Sequence, residues 1–194
     1  MKGYFELKKF VFGLLAKELP RHITYHGLEH TLDVLEVCDQ YINAFNLSGE
    51  EAHLIRIAAI VHDLGFLKSP LNHEEVGAEM ASEIMKNLGM DPNHIEEVYR
   101  MVMATKIPQT PETDLQKIIC DADLDYLGRD DYPEISAKLF EELKALNFLK
   151  NKEEWRMLQI KFLQEHSFHT HFAKKHREPK KQFWLNQIKK GKEV

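Results

Sequence analysis

The stretch AAIVHDLGF, residues 58–66, decides how the chain is read. Leu54, Ile57, Ala58, Ile60 and Val61 fall at helical spacing, which predicts a buried helix over about 50–64. That helix would carry His62 and Asp63 in its last turn. A helix C-terminus bears partial negative charge, which disfavours an aspartate, and an ionised carboxylate at the rim of a core is costly without a partner. Asp63 therefore calls for positive charge from outside its own helix. A divalent ion held by Asp63 and the His62 imidazole answers that need, and an ion pair with Lys68 is the plainer alternative.

Helical spacing extends outward from this point over nearly the whole chain. Segments near 28–45, 72–88, 93–105, 114–127, 132–146, 152–169 and 180–190 carry it, and Leu7, Phe10, Val11, Leu14 and Leu15 define an amphipathic first helix. The punctuation agrees. Ser48 and Glu51 form a capping box, Gly65, Gly89 and Gly128 stand where helices stop, and Asp91-Pro92 and residues 108–111 mark turns. The one β-like run, QKIIC, is short, and no heptad or internal repeat persists. The expected fold class is all-α, a single-domain multi-helix bundle.

At 194 residues the chain suits one substantial core, and 43% hydrophobic with 29% charged residues places it among soluble globular proteins. FVFGLLA follows basic residues as in a signal peptide, but it is short, Lys17 and Glu18 follow it, and no small-x-small cleavage site appears. Nothing approaches the roughly 20 apolar residues of a membrane span. Cys38 and Cys120 lack metal-ribbon or disulfide spacing, which fits a reducing cytoplasm. The net charge of −5 is uneven: from His166 onward eight basic residues face two acidic ones, against 18 and 29 before it. The acidic body opposes a polyanion, so nucleic-acid binding is not expected. The tail aromatics Phe162, Phe168, Phe172, Phe183 and Trp184 are expected in the core. Oligomeric state is not readable.

Two further stretches carry titratable groups. In YHGLEHTLDVLEV, residues 25–37, His26 and His30 are four apart, and Gly27 places the helix start near residue 28. Leu28, Leu32, Leu35 and Val37 face a core beside His30; taken alone, such a histidine is more often a core residue than a ligand. In KIICDADLDYLGRDDY, residues 117–132, a helix would put Asp121 and Asp125 on one face and Asp123 elsewhere, so they are not equivalent ligands of one ion. One of them ligates; the others orient or are solvated.

The order His30, then His62-Asp63, then a distant Asp resembles the HD-domain superfamily of metal-dependent phosphohydrolases, over about residues 22–130. YHGLEHTLDV, IAAIVHDLGF and CDADLDYLG each match its typical wording. The resemblance implies an all-α HD-type domain over 1–194, with C-terminal helices 131–194 packing on the core, and a divalent metal on His30, His62, Asp63 and Asp123. Asp123 is preferred to Asp121 because the superfamily's ligating Asp usually follows an Ala, as here Ala122. NHEEVGAEMA resembles the place where many members hold further histidines for a second metal. His73 and Glu74 stand there, as contacts for a weaker second ion or water. MVMATKI, where dinuclear members often have another His, offers Thr105 and Lys106 instead. SFHTHFAKKHREPKKQ is similar to an uncharacterised bacterial branch.

The implied activity is hydrolysis of a nucleotide or another small phosphorylated compound by metal-activated water, with Asp63 or Glu74 accepting its proton and Lys106 aiding at the phosphate. Mixed His and carboxylate ligands suit Mn, Fe, Co, Ni or Mg. Lys106, Arg129, His171, Arg177 and Lys181 are the expected cationic walls for the substrate, His166 and Thr170 recurring with the last three at near-helical spacing. A solvated face or ion pairs with Asp130 or Asp131 are the competing reading of these charges. A metal- or nucleotide-sensing module without turnover is the alternative function, and an HD-fold di-iron oxygenase, which needs more histidines, ranks lower.

Overall fold

Helix α3 (Gly49–Val61) is buried along both sides, with Ala52, Leu54, Ile55, Ile57, Ala58, Ala59, Ile60 and Val61 all inside. A helix with so wide an apolar surface past its first turn must be covered on several sides, and α3 contacts α1 (Tyr4–Glu18), α2 (Leu28–Phe45), α4 (His73–Asn87), α5 (Pro92–Ala104) and α6 (Asp114–Asp123). The structure is a computed structural model that describes residues 3–47 and 49–192. Among these there are ten α-helices, two short 3-10 turns and no strand. The all-α class stands, and QKIIC lies inside α6. The capping box expected of Ser48 and Glu51 lies outside the described residues.

Two compact units divide the chain. The first runs through Pro20 and from His26 to Asp123; the second comprises Arg21–Tyr25 and the chain from Leu124 on. In the first unit the helix ends follow from local chemistry. Asp91 caps α5 by accepting from the Asn93 amide at 2.8 Å, with Pro92 at the first helical position. Gly89, at φ 67°, lets the chain turn back so that the Met90 amide reaches the Met85 carbonyl at 3.1 Å. Gln116 reaches back to accept from the Glu112 amide at 2.7 Å at the start of α6.

Several sequence expectations shift. Helix α3 stops at Val61, so His62 and Asp63 occupy the turn that follows, ahead of a 3-10 turn at Leu64–Leu67. The helix expected over 114–127 breaks after Asp123 into a 3-10 turn at Asp125–Gly128. Leu32 and Phe10 are 45% and 51% exposed because they sit at the edges of their stripes. The buried face of α2 is instead His30, Thr31, Val34, Leu35, Val37, Cys38, Tyr41 and Ile42.

The second unit contains α7 (Tyr132–Ala145), α8 (Lys152–Glu165), α9 (His171–His176) and α10 (Glu178–Lys189), so the helix expected over 152–169 ends earlier. Asn151 and Thr170 cap α8 and α9 through their side chains. Helix α10 contacts α8, α9 and the 3-10 turn. At that turn Gly128 permits a backbone approach, since a Cβ there would lie 2.4 Å from Arg177 Cβ. Of the tail aromatics, Phe168 is buried, Phe162, Phe172 and Trp184 are half-buried, and Phe183 is exposed.

Candidate metal centre

The last residues of α3 aim the central pair. The His62 amide still bonds the Ala58 carbonyl at 2.9 Å, and His62 Nδ1 bonds the Ala59 carbonyl at 3.0 Å. With Nδ1–H donating to a carbonyl, Nε2 is the nitrogen turned forward. It meets His30 Nε2 at 3.3 Å, Asp63 Oδ2 at 3.1 Å and Asp123 Oδ1 at 3.4 Å. His30 Nε2, from the first turn of α2, lies 3.1 Å from Asp123 Oδ1 and 3.4 Å from Asp63 Oδ2. Donor atoms from three places in the chain thus come together, with Asp63 Oδ2 beside the two imidazoles. His30, His62 and Asp123 form a group whose spacing could hold a metal ion.

Electrostatics agrees with the geometry. His30, His62 and Asp63 are buried, and the Asp123 side chain is 17% exposed. Burial works against charge on His62, but the Asp63 and Asp123 carboxylates outweigh it and hold the imidazole well above its ordinary range. Burial likewise acts to raise Asp63 and Asp123. The neighbouring histidines prevail and keep both carboxyls well below the usual range. Two ionised carboxylates around two facing imidazole nitrogens draw positive charge to the point between them. Asp63 Oδ2 is sealed from solvent and forms no hydrogen bond among the described residues, although two histidine nitrogens stand near it. Imidazole and carboxylate donors in this mixture suit a first-row divalent ion or Mg.

The other expected residues fall out as follows. His73 and Glu74 begin α4; His73 Nε2 is 3.4 Å from Glu74 Oε1 and 3.8 Å from Asp63 Oδ1, so both stand beside the centre. They arrive there through glycine. A Cβ on Gly65 would lie 2.0 Å from the His73 carbonyl oxygen, and one on Gly77 would lie 2.8 Å from the Gly65 nitrogen. Lys106 is exposed just past α5 and makes no ion pair among the described residues, and Lys68, the alternative partner for Asp63, is also exposed. Asp121 and Asp125 are fully buried rather than solvated, because Asp121 is on the inner face of α6 and Asp125 takes Arg177.

The cations expected to line a substrate are committed within the second unit. Arg177 Nε donates to both Asp125 oxygens at 2.8 Å, and Arg129 grips Asp131 at 2.9 and 2.7 Å. Lys181 is 1% exposed, its ammonium donating to the His166 carbonyl at 2.6 Å and pairing with Glu178 at 3.0 Å. Burial removes it as a wall for an outside phosphate. His171 is exposed at the start of α9.

Sequence reasoning assigned nothing to His26. Its ring stacks on Phe66 at 4.1 Å and 8°, and lies 5.9 Å from the His30 ring and 6.1 Å from the His73 ring. Phe66 in turn meets His73 at 4.1 Å. The signal was present as the four-residue spacing of His26 and His30, but His26 precedes the helix, where such spacing carries no periodic meaning.

An all-α core that groups His30, His62 and Asp123 at metal-ligand spacing, with Asp63 beside the two imidazoles, offers a place where a divalent ion could be held. Residues 27–125, just over half of the chain, match the family model of the HD domain, and the chain belongs to that family. Most of that superfamily are metal-dependent phosphohydrolases. No curated protein and no solved structure matches the chain. Among the described residues no helix is long and apolar enough to cross a membrane.

Proposed function

We propose that the chain is a metal-dependent phosphohydrolase acting on a nucleotide or another small phosphorylated compound, with His30, His62, Asp63 and Asp123 as ligands of one divalent ion. The grouping of His30, His62 and Asp123 at metal-ligand spacing, with the solvent-sealed Asp63 Oδ2 turned to the same two imidazoles, supports this reading. Bound there, a divalent ion lowers the pKa of a coordinated water and polarises a phosphoryl oxygen.

The chain's own groups supply the rest. Asp63 directs Oδ2 at the imidazoles and Oδ1 toward His73, which leaves a carboxylate oxygen facing a second basic group. Asp63 or Glu74 accepts the proton of the attacking water, and His73, between them, steadies whichever has taken it. His73 and Glu74 also serve a weaker second ion or ordered water. Lys106, exposed in the same unit, supplies positive charge for the substrate's phosphate.

Elemental analysis of the purified protein tests the ligand set: near one transition metal per chain is expected, and Asp63→Ala strips it. Unchanged metal content in that variant removes Asp63 from the set. Hydrolysis of an aryl phosphate and a nucleotide panel with added Mn or Mg tests the activity. Nucleotide binding without turnover under any metal identifies a sensing module instead.

A further inference from the structure

Wholly within the second unit, α7, α8 and the end of α10 enclose a groove of about 620 Å³, within the usual range for small-molecule sites. Phe140 and Trp155 form an aromatic floor, their ring centroids 6.1 Å apart and their planes 31° from parallel. Arg156 and Lys192 stand on its rim. Gln159 is the informative wall residue, because it is polar and only 6% exposed. Its Nε2 donates to the Tyr132 hydroxyl at 2.8 Å and to the Ser136 hydroxyl at 2.7 Å, which uses both amide hydrogens. Among the described residues nothing donates to Oε1, and that atom is not sealed from solvent.

An acceptor without a donor, on a residue that lines a groove, asks for one from whatever fills it. The floor asks for a flat ring, since Trp155 is half-buried and presents an aromatic surface. The rim asks for negative charge. Arg156 is held in place by Glu153 through Nε at 2.9 Å and Nη2 at 2.7 Å, which orients its guanidinium, and the Lys192 ammonium forms no ion pair among the described residues. The first turn of α8 adds the partial positive charge of a helix start. A neutral aliphatic ligand would leave Gln159 Oε1 and the Lys192 ammonium unused.

From this juxtaposition we infer that the groove binds a planar heteroaromatic ring bearing an N–H donor and carrying a negative group, the chemistry of a nucleobase with its phosphate. The ring lies on Trp155, its N–H meets Gln159 Oε1, and the anion meets Lys192 and Arg156. The site belongs to the second unit and uses none of the metal-centre residues.

The test uses the full chain and the non-hydrolysable 5′-methylenephosphonate isostere of adenosine monophosphate, read by tryptophan fluorescence. Saturable quenching is expected, and it disappears in Trp155→Phe, which leaves Trp184 as the sole reporter. Gln159→Leu and the exposed Lys192→Gln each weaken binding by roughly five- to tenfold, and uncharged adenosine binds correspondingly less well. Both variants keep the wild-type metal content. The inference is overturned if quenching is absent up to about 5 mM, if it persists in Trp155→Phe, or if Lys192→Gln binds like the wild type.

Discussion

Gly65→Ala isolates the contact that brings α4 to the centre. The new methyl would start 2.0 Å from the His73 carbonyl oxygen, whereas real Cβ atoms essentially never approach within 3.0 Å. The neighbour is backbone at the start of a helix, so the first turn of α4 must retreat by roughly 1 Å, and packed interiors yield little. Overpacking of this kind costs about 1–3 kcal/mol, which for a chain of this length lowers Tm by roughly 3–10 °C. Gly77→Ala, with its closest approach at 2.8 Å, asks for a much smaller adjustment and ranks well below. Thermal unfolding followed by circular dichroism measures both. None of the four proposed ligands lies on α4, so Gly65→Ala keeps its metal, while displacement of His73 and Glu74 lowers turnover by ~100-fold. A Tm within about 1 °C of the wild type, or a Gly77→Ala variant less stable than Gly65→Ala, refutes the reasoning.

Asp125→Asn leaves the Arg177 guanidinium without its buried carboxylate and costs about 3–5 kcal/mol, while Asp131→Asn, at a half-exposed partner of Arg129, costs under about 1 kcal/mol; denaturant midpoints compare them. Burial pushes the Tyr132 phenol up to about 12, against the opposing hydrogen bonds from Gln159 and Ser136. The unfolded phenol releases its proton near pH 10, so this contribution is intact below pH 10 and is lost as pH rises toward about 12, by roughly 2–3 kcal/mol in all. Tyr132→Phe removes that part of the alkaline slope, which urea titrations at stepped pH read. Burial, with Asp123 and Asp121 adding to it, pushes the Cys120 thiol up, and both cysteines are buried. A thiol reagent therefore labels neither in the native protein and both in guanidinium; native labelling within minutes contradicts the packing.

The helical class was legible because buried faces repeat at i+3 and i+4, and the limits of α2 matched their expectation to the residue. Breaks were harder to read. DYLG continues the apolar period of α6 past Asp123, so nothing in the residue types announces the change to a 3-10 turn, and the six residues of α9 are too few to show a period. The misplaced charge of Asp63 asked for a cation beside His62, because a local cost implies a remote partner, whereas His30 and Asp123 entered only through the resemblance to the HD domain. The sequence could not show the stack of His26, Phe66 and His73, which forms only once the 3-10 turn after Asp63 has positioned Phe66. Nor could it show Arg177 seated on Asp125 from 52 residues away; a cation in a basic tail reads as solvated until the fold supplies its carboxylate.

Five helices pack on α3, and from Ile57 to Val61 every residue is buried, so the amides of this last stretch reach solvent only when their coat comes apart. In hydrogen exchange they should be the last protons to be replaced, released only when the whole unit opens. His62 and Asp63 hang from the end of that slowest segment, with His62 tethered to it through Ala58 and Ala59. Fraying of outer helices in the native ensemble therefore leaves the doublet's aim undisturbed.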